Sequence, residues 1–208
     1  MTLIVSAMVG QYSVLAADRK QSNLFTILIN KSFLKDITKI RVVSGIAFSG
    51  TGRASILNEI KDDFTKIIEE TPEKILVDDR LDYFNNKSDF KGLNFVVTLQ
   101  LSTGVFLHKF YLQGTDGYYN HVERSDIKPK INPFNIMVLQ PADVEFNDAL
   151  NYCIEVFKNS TGDKHAIISK MKLIFSHYSK TSKFVSGDFD IVFQNDGEKT
   201  TIMNIPKQ

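Results

Sequence analysis

The chain has 208 residues with a net charge of +1, and about 43% of its residues are apolar and 24% charged. This is ordinary globular composition, long enough to bury a core without disulfides or metals. The charge balance gives no support for a nucleic-acid partner or an anionic-membrane partner. The single cysteine, Cys153, cannot form an intramolecular disulfide framework, which favours a reducing compartment. It lies in an apolar helical stretch and is expected to be a small core residue.

Residues 1–17 carry no charge, but they lack a basic n-region, and Gly10-Gln11-Tyr12 interrupts the apolar run. They are therefore not read as a signal peptide. No segment is apolar for long enough to span a bilayer. The expectation is a soluble, cytoplasmic protein with no membrane partner, which leaves the Asn-x-Ser/Thr sequons without meaning.

Residues 2–7 read as a strand, Val9-Gly10-Gln11 as a turn and 12–17 as a returning strand; both strands are apolar on both faces, as in a buried sheet. A third strand is expected over 24–29, and a hairpin over 37–43 and 45–49 with its turn at Ser44-Gly45. Ala54, Ile56, Leu57, Ile60, Phe64, Ile67 and Ile68 recur at helical spacing up to Glu70. Thr51 or Gly52 is the expected cap, and Thr71-Pro72 the stop. Residues 72–91 are polar and mixed, with room for one short helix.

Residues 93–101 and 105–112 form another expected hairpin, and Asp116-Gly117 marks a turn. Residues 125–141 hold three of the five prolines and read as loop with one short strand at 136–139. Helices are expected over 142–159 and 164–179. The chain closes with strands at 189–194 and 200–205 around Asn195-Asp196-Gly197, a hairpin signal. There is no repeat or linker, so 1–208 is read as one domain. Antiparallel hairpins alternating with helices predict an α+β fold in which two antiparallel sheets pack together with helices outside.

Several constellations fail. Gly45-Ile46-Ala47-Phe48-Ser49-Gly50-Thr51 has the glycine spacing of a P-loop but not its lysine. The four histidines are scattered, without the paired spacing of a zinc site. His108, within a strand, is expected to be a structural histidine. No cofactor and no metal are expected.

One constellation survives. Thr2 follows Met1, and a threonine whose own α-amino group is free has a base at hand. An α-amine has a pKa of about 7.7–8.0, so a useful minority of it is neutral near pH 7. The run Thr2-Leu3-Ile4-Val5, Gly10, then Val14-Leu15-Ala16-Ala17-Asp18-Arg19 resembles the proteasome β-subunit family and its bacterial two-component relative. The sixteen-residue step from Thr2 to Asp18 is similar to the family's. Thr38-Lys39-Ile40 with Ile46-Ala47-Phe48-Ser49-Gly50, followed by a helix, resembles the second motif. Ser186-Gly187-Asp188-Phe189-Asp190-Ile191-Val192-Phe193 is similar to the C-terminal signature.

The resemblance implies a four-layer αββα sandwich of the N-terminal-nucleophile hydrolase type. It implies a threonine peptidase or transpeptidase acting on peptide or amide bonds once Met1 is removed. Thr2 would attack the carbonyl, Asp18 would hold a lysine beside it, the N–H of Gly50 would stabilise the oxyanion, and Ser186 is retained from the same site. Counting forward from Asp18 puts the family's lysine at Leu34, and counting back from Gly50 puts it at Asp36. Lys35 lies between and is the expected residue, with Lys31 and Lys39 as alternatives. The implied partners are a peptide or protein substrate, further copies of the chain in a homo-oligomer or ring, and a separate ATP-dependent unfoldase.

The sequence also departs from the family. Its Gly-Ser-Gly turn, due between Gly117 and Ala149, is missing, and Asn132-Pro133-Phe134 and Gln140-Pro141-Ala142 occupy that region. The helper Asp three residues before Ser186 is replaced by Lys183. These changes leave open a second reading, a catalytically inactive subunit that keeps the fold as a scaffold or assembly partner.

Overall fold

The structure is a computed structural model of the chain and describes residues 2–20, 38–71, 81–87, 90, 92–125, 134–195 and 198–207. Ten strands lie among these: β1 Ile4–Val9, β2 Tyr12–Asp18, β3 Arg41–Val43, β4 Ile46–Thr51, β5 Asn94–Gln100, β6 Phe106–Gly114, β7 Gly117–Ser125, β8 Phe134–Leu139, β9 Phe189–Gln194 and β10 Ile202–Ile205. Four helices accompany them: α1 Ala54–Glu70, α2 Leu81–Asn85, α3 Phe146–Phe157 and α4 Lys164–Thr181. The strands form two five-stranded antiparallel sheets, β10-β9-β2-β1-β8 and β3-β4-β5-β6-β7. The expected α+β class with two antiparallel sheets is what the chain forms. The strand expected over 24–29 lies outside the described residues.

Side-chain alternation along the strands sorts the core. Leu3, Val5, Ala7 and Val9 of the β1 segment, with Tyr12, Val14 and Ala16 of β2, pack against α3 and α4 through Cys153, Phe157, Met171, Ile174 and Phe175. The intervening residues Ile4, Leu15 and Ala17 pack instead with Ala47, Val96 and Phe110 of the second sheet. The other face of that sheet buries Phe48, Phe95, Val97 and Tyr111 against Ile60, Phe64 and Ile68 of α1 and Phe84 of α2. A chain so apolar on both faces of its first strands can only be satisfied with cover on both sides, and it has it.

Cys153 is fully buried in the first of these cores, and burial pushes its thiol up to about 12. That is the chemistry of a packing residue, as expected. Gly10, at the tip of the β1–β2 turn with φ 59°, meets Gly162, φ 72°, in the α3–α4 connection. A Cβ on Gly10 would stand 3.0 Å from the Gly162 carbonyl oxygen, so side chains are excluded from this contact.

Four local expectations change. Residues 117–125 form strand β7, paired along its whole length with β6 from Phe106↔Ser125 to Gly114↔Gly117. Its turn is therefore Thr115-Asp116, with Gly117 already in the ladder. The sequence hides the strand because it mixes His121, Glu123 and Arg124 with the apolar residues of a sheet edge. β8 begins at Phe134 rather than at residue 136. α1 is entered through an extended Arg53 that makes no side-chain cap, while Thr51 ends β4. α3 starts at Phe146, after a turn closed by Val144 N–H donating to the Pro141 carbonyl at 3.2 Å.

Candidate active site

The β1–β2 hairpin ends with a backbone pair: Asp18 N–H donates to the Leu3 carbonyl at 3.2 Å. This brings the Asp18 side chain beside the start of the chain. Its Oδ1 accepts the Leu3 N–H at 2.9 Å, and its Oδ2 accepts the Lys20 N–H at 3.0 Å. Thr2 is the residue before this anchored Leu3 and is 5% exposed. The conformation of the Thr2–Leu3 peptide is thus tied to a buried carboxylate.

The ammonium of Lys39 lies 2.9 Å from Asp18 Oδ2, and both side chains are buried. Burial pushes the Asp18 carboxyl up, and Lys39 together with the two backbone N–H groups pulls it back. Burial pushes the Lys39 ammonium down, while Asp18 and the nearby Asp190 charge hold its proton. Lys39 is itself fixed through its backbone. Its carbonyl accepts from Ser49 Oγ at 3.0 Å and from the ammonium of the buried Lys61. Lys61 is pushed down to about 8 by burial, with the Arg41 and Lys39 charges adding to the effect.

Asp18's partner here is therefore Lys39. Lys35 and Lys31 lie outside the described residues. Gly50 follows Ser49 in β4 and stands opposite Phe95. A Cβ there would come within 2.6 Å of Leu57, 2.7 Å of Phe95 and 2.9 Å of the Asn94 carbonyl oxygen, so only glycine fits. Ser186 donates its hydroxyl to the Asp188 carbonyl at 2.8 Å and accepts the Arg19 N–H at 3.1 Å. It fixes the residue after Asp18.

Several neighbours escaped the sequence reading. Arg19 pairs with the buried Asp190 at 2.6 Å, and Asp190 Oδ2 has no hydrogen-bond partner among the described residues. Lys20 Nζ donates to the Lys183 carbonyl at 2.6 Å. Asp143, on the loop after β8, accepts from Ser182 Oγ at 2.7 Å and from the Lys183 N–H at 3.1 Å. Asp143 thus ties the segment after α4, at Ser182 and Lys183, to the connection after β8. The pairing with Arg19 could be suspected from the charged residue inside apolar β9. Asp143 carries no local signal, because its partners lie about 40 residues away.

A second buried polar cluster lies between the sheets. Ser13 Oγ donates to Gln194 Oε1 at 2.7 Å, so the 2.7 Å contact to His108 Nε2 has the imidazole as donor. Nδ1 of His108 then accepts from Ser6 Oγ at 2.7 Å. Gln194 completes the set by donating to the Gly45 and Thr98 carbonyls at 2.7 and 2.9 Å. Burial pushes His108 down to about 3, so it is neutral and structural. Among the described residues no helix is long and apolar enough to cross a membrane.

No protein-family model matches the chain, and no curated protein matches it.

Proposed function

We propose that the chain is a threonine-type N-terminal-nucleophile hydrolase acting on peptide or amide bonds, with Thr2 as nucleophile. The observation that carries this reading is the anchoring of the Thr2–Leu3 segment by Asp18, which also holds the buried Lys39 ammonium at 2.9 Å. Thr2 must carry a free α-amino group, so the Met1–Thr2 bond has to be cut. The amine then takes the hydroxyl proton as Oγ attacks the carbonyl carbon, and the Lys39 charge favours the alkoxide that forms. Gly50 N–H is the proposed oxyanion donor. Collapse breaks the C–N bond, the leaving amine takes the proton, and water or a second amine releases the acyl-threonine ester.

The two sheets and flanking helices are compatible with the four-layer αββα arrangement of such enzymes. On this reading the protein is cytoplasmic, works on peptides or unfolded protein, and assembles into a homo-oligomer, with an ATP-dependent unfoldase as its supplier. A monomeric mass in light scattering would reject the assembly. The scaffold reading keeps one observation in its favour: no Gly-Ser-Gly run lies between Gly117 and Ala149, where the family resemblance calls for one.

Intact mass before and after exposure to a threonine-directed β-lactone tests the proposal. Loss of Met1 and one stoichiometric adduct, absent in Thr2→Ala, is the expected result. A retained Met1, or a free Thr2 that takes no adduct, overturns it and leaves the scaffold reading.

A further inference from the structure

Helix α1 carries a charge inside its apolar stripe. Lys61 lies between Leu57 and Phe64, among the residues that α1 buries, and is 7% exposed. Among the described residues no carboxylate pairs with it. Asp62, next to it in the helix, is taken by Arg41 at 2.5 Å. The charges that bear on Lys61 are those of Arg41 and Lys39, both positive, and they add to burial in loosening its proton. A buried ammonium without a counter-charge lowers stability, whereas a methionine would fill the same stripe without that penalty. Groups perturbed in this way concentrate at functional sites.

What Lys61 touches gives its use. Its ammonium donates to the Lys39 carbonyl, which also accepts from Ser49 Oγ at 3.0 Å. A carbonyl oxygen has two lone pairs, so the peptide plane at Lys39 is fixed from two elements, α1 and β4. The donor from α1 is charged, which makes its bond the stronger of the two. Thr65, one turn further on, accepts from the Arg41 guanidinium at 3.2 Å and donates to the Lys61 carbonyl at 2.7 Å. α1 therefore grips the segment 39–41 at two points. Leu57, one turn before Lys61, is the side chain that a Cβ on Gly50 would meet first. Successive turns of one helix, about 5.4 Å apart, thus bear on Gly50 and on Lys39.

We propose that Lys61 is a positioning residue for Lys39: by holding the Lys39 carbonyl from α1, it fixes the residue whose ammonium Asp18 holds. Its part in catalysis rests on the reading of Thr2 as the nucleophile, whereas its hold on Lys39 does not.

The test compares the parent protein with Lys61→Met by three measurements: the kinetics of Thr2 acylation by a β-lactone, the urea midpoint, and the nitrogen–proton correlation signals of the lysine ammonium groups in mildly acidic buffer. The Lys39 signal is assigned by its loss in Lys39→Met. In Lys61→Met the limiting rate of acylation should fall by about tenfold, the size of one lost charge-assisted hydrogen bond. The half-saturating lactone concentration should stay where it is. The urea midpoint should equal or exceed the parent's, because an uncompensated charge has left the core. The Lys39 ammonium signal should broaden as its pairing with Asp18 loosens. A parental limiting rate, a rate loss matched by a lower midpoint, or an unchanged Lys39 signal overturns the proposal. If the parent itself takes no lactone, the nucleophile reading fails, and the Lys39 signal alone decides whether Lys61 positions it. Should Lys61→Met not fold, Ser49→Ala removes the other donor to the same carbonyl. It is then expected to broaden the Lys39 signal, and a sharp, unshifted one overturns the proposal.

Discussion

Lys39 Nζ stands 2.9 Å from Asp18 Oδ2 with both side chains out of solvent. Two opposite charges buried together cost desolvation but become expensive to separate, because removing one strands the other. Asp18→Asn and Lys39→Met are each expected to lose about 3–5 kcal/mol. The double variant should lose much less than the sum, since its hole holds no charge. Urea midpoints of the four proteins check this. Additive losses would mean that the pair is not coupled in solution. Either single variant should also lose the β-lactone adduct at Thr2.

Gly50 is held glycine by its surroundings. A methyl group there would meet Leu57 at 2.6 Å and the immobile Asn94 carbonyl at 2.9 Å. Gly50→Ala should cost about 1–3 kcal/mol by overpacking between α1 and β5. Pairing it with Leu57→Ala should recover part of the loss, because Leu57 supplies the closest contact. A Gly50→Ala protein as stable as the parent would show that β4 and α1 can separate freely here.

Asp143 ties the connection after β8 to the one after α4 through Ser182 and Lys183. Lys183 in turn receives Lys20, two residues from Asp18. Asp143→Ala should cost about 1 kcal/mol, the net worth of such a bond, because the site is exposed. Amide exchange at Lys183 should quicken, and acylation of Thr2 by a β-lactone should slow by about tenfold. Asp143→Asn, which keeps an acceptor, should recover most of the exchange protection. Unchanged exchange in Asp143→Ala would remove the residue from the supporting set.

How much of this was legible depends on how far apart the partners lie in the chain. The β1–β2 hairpin and the position of Asp18 could be read because Gly10 and the apolar runs are local signals. The lysine partner could not be fixed by counting, since counting assumes the loop and hairpin lengths of the resembling family. Among the described residues the lysine that meets Asp18 is Lys39, one of the alternatives, while Lys31 and Lys35 lie outside them. β7 stayed hidden because an edge strand with polar residues lacks a clean alternation. The roles of Ser6, Ser13 and Gln194 around His108 were invisible, for their partners are 95–181 residues distant.

His108 makes the stability of the fold pH-dependent in a direction that can be worked out. Its folded value is about 3, against an ordinary 6.5, because a charged imidazole would sit between the two sheets without water. Above pH 6.5 the ring is neutral in both folded and unfolded chains and contributes no slope. Between 6.5 and about 3 the unfolded chain takes up a proton that the folded chain refuses. Stability therefore falls with pH in that window, by about 1.4 kcal/mol per unit. His108→Gln keeps hydrogen-bonding capacity toward Ser6 and Ser13 but has no proton to refuse. It should be less stable than the parent at pH 7, with the gap closing by roughly 2–3 kcal/mol at pH 4.5. Urea unfolding of both proteins at pH 7, 5.5 and 4.5 measures this. Parallel pH profiles would mean that the inter-sheet polar cluster admits water and that His108 titrates as a solvated group.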